Sequence, residues 1–554
     1  MRLYVWCAAL TGALPMMAQQ GDTSKFWDSP KFPNSAYFRE IMGPEVPRYQ
    51  LREPVRLADF VAGDKLELSL RNYLDLVLAN NTDLEIQRLN LEIPKNNITR
   101  QFGIFDPLMV NQFTATRSNT QASDVLAGAN TVSTLNQPWQ FGYQQLLPTG
   151  TQINVGFNGS KSSTNSQFQT FNPSFNTQLN FRFSQPLLRG RGRQINMLPI
   201  SVARSQLKVQ QFNTSDQILR LLATAEGAYW NVVEARENLR VQENFLQLTK
   251  AALDRSQKEL ELGAISALDI YQPQQQYATA EFQVTQARYR LAQLEEVIRR
   301  QASIDLDPDI RKLPIVLTEP VNPPTDDSEF DKEGLVQRAM QLRPDFRAAL
   351  QQLDVDDLNI TGARDALRPD FRLGGGYTST GRGGTFFPRQ GNALTGATLA
   401  PVPGGVTDAF DQMFGFGFPI YNMSLTLNLP LRNRRGAADF ADATIRKRRD
   451  MLQVRSTEQT VRLEVLNAIN NVEASRASVK LAQIARDFAQ KRVDAEQKKY
   501  ELGTTVIFFV LQAQLDLTQA ESNMVRESIN YRRNLLQLLQ RTGELLNERG
   551  VVIQ

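Results

Sequence analysis

The side chains most often used for catalysis and metal binding are largely missing from this sequence. Of its 554 residues none is histidine and only one, Cys7, is cysteine. Histidine is the commonest general base, and histidine and cysteine supply most ligands for transition metals. The remaining carboxylates form no paired acid–base motif. The composition therefore argues against an enzyme, and we expect no catalytic residue, no metal and no cofactor.

The amino terminus has the layout of a secretory signal peptide. Arg2 precedes a short apolar stretch, and the small residue Ala18 follows it. We predict that residues 1–18 are removed on export; a buried strand or helix is the alternative. Cys7 lies inside this segment, so the exported chain would contain no thiol and no disulfide.

The overall composition is that of a protein that faces water. Hydrophobic residues make up 41% of the chain and charged residues 22%, and the mean hydropathy is −0.36. Beyond the amino terminus we find no run near the roughly 20 apolar residues that a membrane-spanning helix needs. The net charge of +4 is spread along the chain, so we expect no nucleic-acid partner.

The sequence contains two copies of one long unit. Residues 185–193 correspond to 429–436, and residues 259–263 correspond to 499–503, in the same order and at similar spacing. The predicted organisation is a signal peptide (1–18), a Pro-rich extension (19–65), repeat 1 (66–305), a linker (306–331), repeat 2 (332–546) and a tail (547–554).

Each unit contains a segment that predicts an unusually long helix. Residues 201–262 and 437–502 contain no proline, and Gly227 is their only glycine. As continuous helices each would extend roughly 90–100 Å. Apolar residues recur at threes and fours with many polar residues between them, which is typical of a coiled coil with one wet face.

Both long helices end at a glycine where the chain can turn back. Gly263 follows the first and Gly503 the second, and glycine readily adopts the conformation that ends helices. Return helices are predicted at residues 264–300 and 504–542.

The segments before the long helices change to a period of two. Residues 176–184 and 421–429 alternate apolar with polar side chains, as transmembrane barrel strands do. A soluble β-sandwich would give the same alternation, but the signal peptide and the adjacent long helices favour the barrel. We place barrel strands at about residues 105–185 and 370–430.

These strands are too few to close a barrel within one chain. Backbone groups that face lipid cannot find water, so a membrane sheet must leave no open edge. We predict about four strands per protomer, or more if a hairpin around residues 142–158 joins them. The smallest single-chain barrels have about eight strands, so several protomers must share one barrel.

The order of helix, strand pair, long helix, glycine turn and return helix resembles the TolC family of outer-membrane efflux proteins over about residues 66–546. Residues 185–190 (Gln-Pro-Leu-Leu-Arg-Gly) are similar to the strand-to-helix corner of that family. The resemblance implies a mixed α and β fold: a homotrimeric twelve-stranded barrel in the outer membrane, continued by a helical tunnel through the periplasm. We assign the corners to Pro186, Gly190, Pro430 and Gly436.

The resemblance also implies a gate at the periplasmic tip of the tunnel. In the family, an aspartate and a tyrosine from neighbouring helix pairs hold the tunnel shut. Asp269, six residues after Gly263, and Tyr500 match those positions. A carboxylate that accepts a phenol proton makes a charge-assisted bond, which partner binding could exchange for other contacts. An exposed aspartate and a packing tyrosine are the alternative.

One stretch departs from the family pattern. Family members often carry a ring of aspartates on the second tip, whereas this chain has Phe509 and Gln512 there, within and just after the apolar run 506–511. Phe508, Phe509 and Gln512 are candidates for a hydrophobic constriction or for an adaptor docking surface. Buried packing between tip helices is the third possibility.

The predicted function is a passive exit duct for a tripartite efflux or type I secretion system. Its expected partners are a periplasmic adaptor protein and an inner-membrane transporter. The cargo, whether drug, metal or secreted protein, is not specified by these residues. A trimeric coiled-coil surface or structural protein is the alternative, but its strands should lie at one end of the chain rather than twice between helices.

Overall fold

The computed structural model describes residues 61–62, 64–122, 128–166, 169–304, 310–321, 329–391, 396–397 and 399–550. The chain divides into two units, residues 1–54 and 55–554, and the described residues belong to the second. The predicted signal peptide and the Pro-rich extension as far as residue 60 lie outside the described residues. So do parts of the predicted linker and the end of the tail.

The helices and strands of the described residues follow in chain order. The first group is β1 (Val61–Ala62), β2 (Lys65–Leu68), α1 (Leu70–Asn80), α2 (Thr82–Phe102), β3 (Leu108–Phe113), β4 (Thr116–Gln121), β5 (Thr131–Leu146), β6 (Gln152–Thr164), β7 (Phe171–Pro186), α3 (Arg193–Asn196), α4 (Leu198–Glu261) and α5 (Tyr271–Gln301). The second group is β8 (Ile315–Leu317), α6 (Lys332–Leu342), α7 (Pro344–Ala366), β9 (Asp370–Phe386), α8 (Val406–Phe414), β10 (Pro419–Asn428), α9 (Arg434–Glu501), α10 (Ile507–Thr542) and α11 (Leu545–Glu548).

Two helices are far longer than those of ordinary globular domains. Helix α4 has 64 residues and α9 has 68, which corresponds to roughly 95–100 Å each at about 1.5 Å per residue. Helix α4 begins three residues before the predicted start, because Pro199 in its first turn needs no backbone donor there. Helix α9 is capped by Asn433, whose side chain accepts the backbone N–H of Gly436 at 3.0 Å.

The return helices begin later than predicted. Helix α5 starts at Tyr271 rather than 264, because residues 266–269 form a turn in which the N–H of Asp269 donates to the carbonyl of Ser266 at 2.9 Å. Helix α10 starts at Ile507 rather than 504, because Val506 before it is extended, with φ −94° and ψ 156°.

The largest buried cluster joins helices from both halves of the chain. It contains Tyr73 of α1, Leu222 and Tyr229 of α4, Ile298 of α5 and Ile529 of α10, all of them fully buried. A small sheet, ordered β1-β2-β8, packs on this cluster, and the Tyr229 hydroxyl donates to the carbonyl of Leu68 at 3.1 Å. Strand β8 lies in the predicted linker and pairs with β2 in parallel.

A large antiparallel sheet precedes the long helices. Its strand order is β10-β9-β7-β6-β5-β3, and β4 also pairs with β5. Strand β3 pairs with residues 139–144 of β5 and β4 with residues 131–136, so the two short strands occupy one position in succession. The sheet therefore has six strand positions. The hairpin expected around residues 142–158 is β5 and β6, and it lies between β3 and β7.

Two kinds of feature are absent from the described residues. None of the helices there is both long and apolar enough to cross a membrane. In the same part of the chain, no group of three or more acidic, histidine or cysteine side chains is arranged to hold a metal ion.

Candidate functional site

The large sheet has one apolar and one polar face. A row across the sheet joins Tyr143, Val155, Phe181, Tyr377 and Tyr421 on neighbouring strands. The adjacent row joins Gln144, Asn154, Arg182, Gly376 and Asn422. Side chains alternate between the two faces of a strand, so the apolar and polar rows lie on opposite faces. An apolar outer and a polar inner face are what a membrane barrel requires.

Both edges of this sheet are open in the single chain. Every residue of β10, at one edge, and of β3 and β4, at the other, is exposed. The exposed side chains include large apolar ones, with Met423 76% and Phe113 65% accessible. Unpaired edge strands with apolar side chains are templates for pairing with another chain.

The two helix tips have the same backbone geometry. Gly263 and Gly503 have φ of +72° and +71°, the left-handed region that glycine tolerates. The N–H of Ala264 donates to the carbonyl of Glu259 at 2.8 Å, and that of Thr504 to the carbonyl of Lys499 at 2.9 Å. The glycine N–H groups donate to Leu260 and Tyr500, both at 2.9 Å. Each predicted glycine turn is therefore a Schellman motif, which closes the helix end.

Tyr500 connects the two tips within one chain. Its hydroxyl donates to the carboxylate of Glu259, with oxygen–oxygen distances of 2.9 and 3.2 Å. Arg255 lies over the Tyr500 ring, 4.7 Å from its centroid, and forms an ion pair with Glu259 at 2.9 Å. Burial and the bond to Glu259 raise the pKa of Tyr500. The end of α9 is thereby tied to the end of α4.

Asp269 makes its hydrogen bonds inside its own turn. Its side chain accepts the backbone N–H of Ser266 at 3.1 Å, and the residue is exposed. Among the described residues, Asp269 and Tyr500 share no hydrogen bond. The predicted gate pairs residues from neighbouring helix pairs, so it stays a prediction. Sequence reasoning missed Glu259 and Arg255, although their i,i+4 spacing in the last turns of α4 marks an ion pair.

The apolar run of the second tip is divided between surface and interior. Val510 and Leu511 are buried, whereas Phe508 and Phe509 are 41% and 48% exposed. The two rings stand edge to face, with centroids 5.3 Å apart. Gln512 donates to Asp516 at 3.0 Å. The phenylalanines thus form a surface feature, while the next residues pack against neighbouring helices.

The two strand-to-helix corners are built differently. Pro186 ends β7 and is buried, and Gly190, with φ +73°, donates its N–H to Asp365 at 2.7 Å. Pro430 is exposed just after β10, and Gly436 lies in the first turn of α9. Only the first corner uses a left-handed glycine.

Comparisons with known proteins agree with this architecture. Residues 335–544 match the family described as outer membrane efflux protein. The outer membrane protein TolC of Escherichia coli is 25% identical over 343 residues, which cover 61% of this chain and 64% of that protein. The pyoverdine export outer membrane protein OpmQ of Pseudomonas aeruginosa is 22% identical over 409 residues, 73% of this chain and 76% of that protein. The match therefore spans less than two thirds of the length of E. coli TolC.

Solved structures extend the likeness to most of the chain. The CmeC outer membrane channel of Campylobacter jejuni superimposes with a TM-score of 0.59 and 16% identity, covering 86% of each chain. The outer membrane protein VceC of Vibrio cholerae gives a TM-score of 0.58 and 14% identity, covering 86% of this chain and 96% of that one. At such identities the likeness is one of fold.

Proposed function

Because the chain is a TolC-like outer-membrane efflux protein, we propose that it forms the outer-membrane exit duct of a tripartite efflux or type I secretion system. The observation that carries the proposal is the sheet with one apolar face and two open edges, joined directly to helices of 64 and 68 residues. The sheet lies in the outer membrane, and the long helices extend from it into the periplasm. The duct is passive, and we assign a catalytic role to none of its residues.

The proposed assembly is a homotrimer. Six strand positions are fewer than the eight of the smallest single-chain barrels, and a lipid-exposed edge leaves backbone groups without partners. Pairing β10 of one copy with β3 and β4 of the next removes both edges. The paired helices α4 with α5 and α9 with α10 then form the tunnel wall from two internal repeats of each chain.

A periplasmic adaptor and an inner-membrane transporter are the proposed partners at the helix tips. Large apolar side chains are exposed there: Leu262, Leu268, Leu502, Phe508 and Phe509. Exposed apolar side chains in such a group mark a protein interaction site. An adaptor whose helices present apolar residues would cover them.

The gate of the proposed duct lies at the same tips. Tyr500 holds α4 and α9 together through Glu259, and Asp269 is exposed on the neighbouring turn. Closing the tunnel requires contacts of this kind within and between helix pairs. Breaking them is expected to free the tips to separate.

Single-channel recording in planar lipid bilayers tests the duct and its gate. Wild-type protein should show small or rare openings, and the double variant Asp269→Ala with Tyr500→Phe should open more often and more widely. Tyr289→Phe, an exposed tyrosine on α5, is the matched control and should behave as wild type. Unchanged conductance in the double variant would contradict the gate. Chemical crosslinking that yields only monomer would contradict the shared barrel.

A further inference from the structure

We propose that each chain contributes six strands to the membrane barrel, so that the trimer closes an eighteen-stranded barrel with a wide lumen. The inference rests on the proposed trimeric duct and deepens it. Three chains with six positions each exceed the twelve strands that the family resemblance implies. The β5–β6 hairpin supplies the additional pair.

The hairpin is an integral part of the sheet. Its pairing with β7 runs from Gln152↔Ser184 to Ser162↔Ser174, and its internal pairing runs from Leu146↔Gln152 to Thr134↔Thr164. Strand β5 has 16 residues and β6 has 13. A tilted barrel strand needs about 9–11 residues to cross the membrane. Both hairpin strands are therefore long enough to span it.

The hairpin also has the side-chain pattern of a barrel wall. The apolar face of the sheet receives Trp139, Phe141 and Tyr143 from β5, and Ile153, Val155 and Phe157 from β6. The opposite face receives Gln140, Gln144, Asn154 and Asn158. These residues pair in register, for example Phe141 with Phe157 and Gln144 with Asn154. A hairpin lying in water would have no need to keep an apolar face continuous with that of β7.

The turn of the hairpin is anchored at the first strand-to-helix corner. The carbonyl of Thr149 accepts the N–H of Gly192 at 3.1 Å. Gly150 has φ +88°, and a Cβ added there would lie 2.6 Å from the carbonyl oxygen of Gly190 and 2.8 Å from Cγ of Pro186. Both conformation and space therefore demand glycine. The turn lies where the chain leaves the sheet for α4, at the periplasmic end of the proposed barrel.

The added strands change what the barrel can pass. The diameter of a barrel grows roughly in proportion to its strand number, so eighteen strands give about one and a half times the diameter of twelve. Barrels of about 16–18 strands enclose an aqueous channel. The side chains that the hairpin adds to the polar face include the uncharged amides of Gln140, Gln144, Asn154 and Asn158. The hairpin thus widens the section without adding charge to the polar face, whose cationic side chains, such as Arg182, come from other strands.

Cysteine reactivity in reconstituted lipid vesicles tests the placement of the hairpin. Asn154→Cys and Val155→Cys probe its two faces, and Arg182→Cys and Phe181→Cys on β7 are the matched reference pair. A water-soluble maleimide should label the polar positions roughly tenfold or more faster than the apolar ones, because lipid excludes the charged reagent. Each variant is first checked for insertion by its heat-modifiable mobility on gels.

The outcomes separate the two proposals. Protection of both Val155→Cys and Phe181→Cys supports six strands per chain. Fast labelling of Val155→Cys with protected Phe181→Cys overturns the six-strand barrel and leaves the duct standing. Fast labelling of Phe181→Cys contradicts the barrel as a whole.

Polymer exclusion gives a second measurement. A chain that lacks residues 131–164 joins the region of β4 to β7 and leaves four strand positions. The diameter measured with polyethylene glycols added on the extracellular side should then fall by about one third. An unchanged diameter in a folded deletion variant would overturn the proposal, and the cysteine pairs decide the matter if the variant does not fold.

Discussion

The two helix tips share a backbone conformation but differ in side chains, whereas the two groups of strands share a side-chain pattern but differ in strand number. At the tips the backbone is the same, with φ of +72° at Gly263 and +71° at Gly503, while the side chains around it differ. In the sheet the side-chain pattern is the same, while the strand number differs: residues 108–186 supply four positions and residues 370–428 supply two. In the proposed tunnel, helix ends that lie side by side must match in length and angle. A sheet accepts an extra hairpin because the hairpin satisfies its own backbone hydrogen bonds.

The chemistry of the tips follows from their few non-equivalent side chains. The first turn is polar, with Asp269 bonded to Ser266. The second turn is followed by exposed Phe508 and Phe509. Tyr500, on the second helix, reaches the first through Glu259. Equal backbones thus carry unequal roles in the proposed gate and docking surface.

The largest effect is expected at the turn of the inserted hairpin. Gly150→Val combines a left-handed backbone with a Cβ that overlaps the Gly190 carbonyl, and these costs add to about 3 kcal/mol or more. The trimer expected from chemical crosslinking should be lost. The control Gly142→Val, where a Cβ meets no atom within 4 Å, should retain it. Equal behaviour of the two variants would show that the hairpin turn does not support the assembly.

An intermediate and equal effect is expected at the two tips. Gly263→Ala and Gly503→Ala should each cost about 1–2 kcal/mol, because a Cβ is strained in the left-handed conformation although space is open at both sites. Gly227→Ala, in the interior of α4 with open space around it, should stabilise the protein by about 0.5–1 kcal/mol. Denaturant unfolding measures all three. A difference above about 1 kcal/mol between the tip variants would contradict their structural equivalence.

The smallest effect concerns pH and the helices that precede the strands. Helices α2 and α7 each precede a group of strands, but their interiors differ. Helix α2 contains Pro94, whereas α7 contains the buried carboxylate of Asp356, which is 5% exposed. Burial and the neighbouring carboxylate of Asp450 raise the pKa of Asp356. Its stabilising contribution is therefore present at acid pH, where it is protonated, and is lost as pH rises through its raised pKa.

Asp356→Asn should remove this dependence. The variant should match wild type in acid and exceed it by about 1 kcal/mol at neutral pH, as measured by thermal unfolding across pH. Asp357→Asn is the control on the same helix, because Asp357 is exposed and pairs with Lys447 instead, so this variant should keep the loss of stability that accompanies ionisation of Asp356. A constant difference between Asp356→Asn and wild type at all pH values would exclude titration of Asp356 as the cause.

Several features could be predicted from the sequence because their signals are local. The period of two in residues 176–184 and 421–429 predicts strands, and the absence of proline from residues 201–262 and 437–502 predicts long helices, in each case from neighbouring residues alone. The resemblance to the TolC family is confirmed by the family match, the relatives and the fold neighbours, and the outer-membrane location by the family match and the relatives. The assignments of the gate, the constriction and the corners stay predictions.

The sequence by itself determined the elements that depend on local periodicity and turn chemistry: two very long helices, the glycines that end them and the alternating strands. Only the tertiary structure decided the strand order, the position of β5 and β6 in the sheet and the bond from Tyr500 to Glu259. Strand pairing and side-chain contacts join residues tens or hundreds of positions apart, as between Tyr500 and Glu259. Local sequence patterns do not specify which distant residue becomes the partner, because many polar side chains of similar length could form the same hydrogen bond.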